Sequence, residues 1–254
     1  MAYDLPENFQ RLHHAEQELR DKSLEIIRHN DLGLHLMVVE LTMDVADTLR
    51  KFPTDDEDLK VPQLLGMRIF NAFASSLKLA LSGYSQNSTL VMRDILETIF
   101  LLDLFRGEPS LIKEWRFSDK QQIRKKFSPI RVREALDKRY GHKAKKRAEL
   151  YQLFSELAAH PTMKSALMMR PEIGGDAVIG PFVEKGALEA QLSEMGRLAL
   201  QAGEALISFI PSWWGPAMEC RRSFDKAKLE WLHQFFPSPA GAECTTKKGD
   251  GADE

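Results

Sequence analysis

The chain has 254 residues, 43% hydrophobic and 28% charged, enough to bury one large globular core without disulfide or metal staples. Two cysteines, Cys220 and Cys244, are too few for a disulfide framework. The opening MAYDLPENFQ lacks the basic start and apolar core of a secretory signal, and the apolar run Ile95–Phe105 is broken by Glu97 and Asp103, so a reducing, cytoplasmic setting without membrane insertion is expected. The formal net charge of -2 hides a basic middle: Lys113–Arg147 holds fourteen Lys and Arg against four Asp and Glu, between two acidic flanks.

Residues 5–30 read as a polar, solvated helix. Residues 34–52 carry Leu34, Val38, Leu41, Val45 and Leu49 at helical spacing. The acidic loop PTDDED follows, with Asp58 as the expected cap of a helix over 61–83. That helix has a stripe of Leu65, Ile69, Phe73, Leu77 and Ala80, and its small residues Ala72, Ala74, Ser75 and Ser76 allow close approach by another helix. Gly83 closes it. Residues 87–106 are apolar nearly all round, the mark of an interior helix, so these two helices are expected to form the buried centre. Three short helices follow over 109–117, 118–127 and 129–140, with Ser118 and Ser128 as caps. Further helices are expected over 143–159, 183–210 and 212–236. Gly174-Gly175 suggests one short β-hairpin near residues 167–180. The expectation is a single-domain all-α bundle over 1–236 and a disordered tail over 237–254.

Arg93 and Glu97 lie one turn apart on the interior helix, on the face of Leu90, Phe100 and Leu104. A charge there is costly unless paired. The pair is therefore either a clamp onto a neighbouring helix or the floor of a polar pocket. Tyr151 and His160, from a later helix, are the candidates to complete that cluster.

The basic segment points to a polyanion, RNA above all, because phosphate contacts need clustered Lys and Arg. The candidate contacts are Arg124, Lys125, Lys126, Arg131, Arg133, Lys143, Lys145, Lys146 and Arg147, with Phe117, Phe127 and Tyr140 interspersed for stacking. The alternative is a solvated surface that balances the acidic flanks. There is no GxxxxGK[ST], GxGxxG, HExxH, GxSxG or cysteine pair at metal spacing, so neither a cofactor nor a metal is expected. Trp213 and Trp214 are expected in the core.

The stretch RIFNAFASSLKLALSGYSQNSTLVMRDILETIFLLDLF, followed by YQLFSELAAHPT, resembles a group of uncharacterised bacterial helical proteins loosely similar to the HEPN family. In that group an inner helix carries Arg-x-x-x-Glu, here Arg93 and Glu97. A later one carries Tyr-x-x-(Leu/Phe)-Ser before a His, here Tyr151, Phe154, Ser155 and His160. The resemblance implies an all-helical fold and a place among proteins that act in prokaryotic defence. Catalytic HEPN ribonucleases have an Arg, four to six residues, then a His. Here Arg139 and His142 are separated by two residues and Arg147 and His160 by twelve, while His142 and Arg147 have the right gap in reverse order. A non-enzymatic binding protein is the leading expectation, a metal-independent ribonuclease the second, and an oligomerising module the third. A homodimer is expected because long helices commonly pair.

Overall fold

The structure is a computed structural model and describes residues 5–142, 145–172 and 174–236. The tail expected to be disordered lies outside the described residues. The helices are α1 (Glu7–His29), α2 (Gly33–Lys51), α3 (Lys60–Leu81), α4 (Ser85–Gly107), α5 (Ser110–Phe117), α6 (Lys120–Lys126), α7 (Pro129–Arg139), α8 (Lys146–Phe154), α9 (Lys185–Ile207) and α10 (Gly215–Phe235). No strand occurs among the described residues, and the fold is all-α.

Helix α4 has α3 on one side and α9 on the other. Its Ile95, Leu96, Leu102 and Phe105 are fully buried, as its all-round apolar sequence requires. The small residues of α3 do what their size allows. The Ser76 hydroxyl lies 2.9 Å from that of Ser88, and Ser88 Oγ donates to the Ser76 carbonyl at 2.9 Å. This buried exchange fixes the α3–α4 register while leaving no hydroxyl unpaired. Of the described helices, α3 alone is long and apolar enough to cross a membrane by length and composition. Its stripe is occupied by the core, with Ile69 and Phe73 fully buried.

The centre expected at α3 and α4 extends further, to α9. This helix buries Leu192, Met195, Leu198, Ala199, Ala202 and Leu206. It packs along α2, where the Thr42 hydroxyl donates to the Ala199 carbonyl at 2.9 Å. Its glycines receive α10. A Cβ on Gly196 would sit 2.8 Å from the Trp231 indole nitrogen, and one on Gly203 would sit 2.2 Å from Phe224 Cε2. Both rings are 1% exposed.

The end of α4 is finished by the basic segment. The Arg139 guanidinium adds donors to the carbonyls of Asp103 at 2.8 Å and Leu104 at 2.9 Å, the latter also accepting from the Glu108 N–H at 3.1 Å. Phe127 and Trp115 pack edge-on against Phe105, so α5, α6 and α7 fold over the end of α4. Phe127 is thus an anchor, 7% exposed, and is removed from the stacking set.

Several local expectations are corrected. The hairpin near 167–180 does not form among the described residues. A 3-10 turn at Ser165–Met169 leads into open loop, joined back by the Val178 N–H to the Met169 carbonyl at 3.0 Å. Val178 and Ile179 are exposed, so the segment offers no buried face to hold paired strands. The cap of α6 is Asp119, in a reciprocal capping box with Gln122, rather than Ser118. Its carboxylate is the better acceptor for the exposed N–H groups, and the Ser118 hydroxyl instead bonds back to the Glu114 carbonyl at 2.8 Å. Asp58 does not cap α3 and is spent on Arg116 at 2.6 Å. Trp213 is 75% exposed, because Pro211 turns the chain outward before α10 begins. Gly83, at φ +86°, closes α3 as expected. A Cβ there would strike the Phe182 backbone at 2.7 Å.

Candidate functional site

Arg93 and Glu97 form an ion pair of 3.0 Å along α4, with side chains 24% and 28% exposed. The pair is therefore half-buried rather than sealed. Helix α8 brings Tyr151 and Ser155 against it, four positions apart and on one face of that helix. Arg93 Nε donates to Ser155 Oγ at 2.9 Å and Arg93 Nη2 to the Tyr151 hydroxyl. Ser155 Oγ donates in turn to the Tyr151 carbonyl at 2.8 Å. Ser155 opens a π-helical turn, Ser155–Ala159, closed by the His160 N–H to the Ser155 carbonyl at 3.0 Å. Such turns interrupt a helix locally and recur at functional sites.

The structure brings Arg93, Glu97 and Tyr151 together and leaves His160 apart. The His160 imidazole is exposed and makes no hydrogen bond to the cluster among the described residues; only its backbone is tied in. Arg133 joins in its place. Its guanidinium lies 3.9 Å above the Tyr151 ring centroid, and that of Arg93 lies 4.5 Å from the same ring. Arg133 is 9% exposed, and its Nη1 is buried without a hydrogen-bond partner. The cluster thus holds two guanidinium cations and one carboxylate.

The candidate cations of the basic segment separate into two groups. Lys126 pairs with Glu114, Arg131 with Glu134 at 2.9 Å, and Arg147 with Asp137 at 2.7 Å. Arg116 reaches back to the acidic loop at Asp58 and Glu57. These contacts match the charge-balancing alternative, while Arg133 is interior. Arg124 and Lys125 on α6 and Lys145 and Lys146 at the start of α8 are exposed and have no acidic partner among the described residues. Lys120 and Lys138, which the sequence reading passed over, are in the same state. Lys143 lies outside the described residues.

Beside the second group is a cleft of about 680 Å³, lined by Phe100, Asp137, His142, Lys146, Arg147, Leu150 and Gln201. The Arg147 guanidinium bridges the Asp137 carboxylate and His142 Nδ1, the latter at 3.0 Å. The imidazole stacks on Tyr140, whose hydroxyl donates to Asp103 at 2.9 Å. The reversed His-Arg spacing therefore does produce a contact, held by an acid that the sequence reading did not single out. Among the described residues no three His, Cys, Asp or Glu side chains are grouped as a metal ion would need.

Searches of protein-family models, curated proteins and solved structures return no match to this chain. The functional reading therefore rests on these side chains.

Arg133 was missed as a member of the Arg93 cluster, and Ser155, although part of the Tyr151 motif, was given no role in it. The repeat of four between Tyr151 and Ser155 marks one helix face and was the available signal for Ser155. For Arg133, the apolar neighbours Val132 and Leu136, one and three positions away, marked a side chain on the inner edge of α7.

Proposed function

We propose that the chain is a cytoplasmic binding module for single-stranded RNA, gripped through its phosphates by the basic segment. One observation carries this reading. Lys120, Arg124, Lys125, Lys138, Lys145 and Lys146 are exposed and unpaired among the described residues, and Lys146 borders the cleft. Cations already matched by acids have little to gain from a phosphate, whereas unmatched ones release counterions when one docks. Phe117, 72% exposed and beside the Arg116 guanidinium, offers a face on which a base can stack.

The test is RNA affinity across a salt series. Contact with about five phosphates gives a log–log slope near -3.5 for a single strand. Arg124→Ala and Lys146→Ala should each flatten that slope by roughly 0.7. Arg131→Ala, which removes a cation already held by Glu134, should change it less. A flat salt response, or no binding at low salt, would overturn the reading.

A further inference from the structure

A guanidinium as buried as Arg133 normally has a carboxylate or several carbonyls around it, because desolvating a cation costs several kcal/mol unless it is repaid. Among the described residues Arg133 has neither, and its one close electrostatic partner is the Tyr151 ring. A ring face attracts a cation but offers no lone pair to the five N–H groups of a guanidinium. Arg93 cannot share its carboxylate freely, since Glu97 is 3.0 Å away and already committed to it. The cluster therefore has one positive charge more than it has acids to balance it. We infer that Arg133, with Arg93 and the Tyr151 hydroxyl, is a receptor for the terminal phosphate of an RNA strand.

The chemistry fits at three points. The planar fork of arginine matches the oxygens of a phosphate or carboxylate two at a time. A terminal phosphate carries at least one negative charge at neutral pH, enough to cancel the surplus, and Arg93, 24% exposed, leaves the cluster open to solvent on one side. The neighbouring cavity, about 310 Å³ and lined in part by Glu97, Phe100, Trp115, Phe127 and Val132, supplies aromatic walls for the last base. It meets the cluster at Glu97; Arg93, Arg133 and Tyr151 do not line it, and Arg68 and Asp94 do. This inference rests on the RNA reading and makes it specific: the exposed lysines hold the strand anywhere along its length, and the Arg133 cluster selects its end.

The experiment compares one short RNA bearing a 5′-phosphate, a 3′-phosphate or hydroxyls at both ends, with inorganic phosphate as a separate probe. These are tested against the whole protein and its Arg133→Met and Arg133→Lys variants. One phosphorylated end should bind roughly tenfold or more tighter than the hydroxyl form, the scale of a charge-assisted hydrogen bond. Arg133→Met should abolish that preference, and Arg133→Lys should keep part of it. Inorganic phosphate should raise the Tm of the wild-type protein and leave that of Arg133→Met unmoved. Without phosphate, Arg133→Met should be at least as stable as wild type, because a buried cation has been removed. If Arg133→Met does not fold, Arg133→Lys decides: a weakened end preference supports the receptor, and a preference equal to wild type overturns it. Salt-sensitive binding that ignores the strand end overturns the receptor and leaves the general RNA reading standing. A Tm rise with phosphate that is lost in Arg133→Met, without RNA binding, overturns both the RNA reading and the strand-end receptor and leaves only an anion site at Arg133.

Discussion

His35 is 2% exposed, stacks on Phe235 with ring centroids 4.0 Å apart, and accepts a hydrogen bond at Nδ1 from the Trp231 indole N–H at 2.8 Å. An acceptor nitrogen must be unprotonated. Burial first, and the nearby Arg197 charge second, lower its pKa to about 4 from an ordinary 6.5. The unfolded chain then takes up a proton below about pH 6.5 that the folded chain refuses until about pH 4, so stability is complete above that window and falls through it. At 1.36 kcal/mol per unit, the loss across the window is about 3 kcal/mol. Denaturant titrations at pH 7 and pH 5 should show about half of that drop, and His35→Gln should flatten the difference. Arg93 gives a second prediction at this scale. The charge left behind by Arg93→Ala is Glu97, which is 28% exposed and can reach water. The cost should therefore be about 1 kcal/mol, in the range of a partly solvated pair, instead of the several kcal/mol that a sealed, orphaned carboxylate would exact. A urea midpoint series on the single variant distinguishes the two.

At the scale of elements, α10 packs mainly along α2 and meets α9 where two glycines receive its rings. Gly203→Ala drives a methyl group against the edge of the Phe224 ring, and overpacking of this kind costs about 2 kcal/mol after the helix-propensity gain of alanine is counted. Gly215→Ala, where a methyl group meets open space, is the matched control and should be neutral or slightly stabilising in the same thermal melt. This interlock also shows where the sequence stopped being legible. Periodicity located each helix, and the all-round apolar run singled out α4 as interior. The central position of α9 was hidden because, beside its leucines, the notches that receive α10 are Gly196 and Gly203, residues whose hydropathy says little and whose value lies in being small. The short basic helices were legible as elements, and Ser128 does stand at the N-cap of α7, yet the cap of α6 was not legible. Ser118 and Asp119 are both good cap residues, and only the Asp119–Gln122 geometry separates them.

At the scale of the molecule, the uneven charge seen along the chain is partly annulled in space. Arg116 folds onto the acidic loop at Glu57 and Asp58, and Lys126, Arg131 and Arg147 each find an acid nearer in sequence. The patch that remains is smaller than the segment that encodes it. Sequence could count those cations but could not assign their partners, because the Arg116 pairs join residues from distant parts of the chain. For the same reason Arg93, Glu97 and Tyr151 were legible as a cluster, having helical spacing and a motif behind them, whereas Arg133 read as one surface cation among many. The α9–α10 contact has a consequence at this scale as well. Gly196 and Gly203 stand seven positions apart, as do Phe224 and Trp231, so the two helices work as a vernier, one scale of notches read against one scale of teeth. A single residue inserted between the two rings would turn one of them by about 100° and leave no alignment in which both teeth engage. The chain thus carries, in the spacing of two glycines and two aromatic rings, a check on its own reading frame.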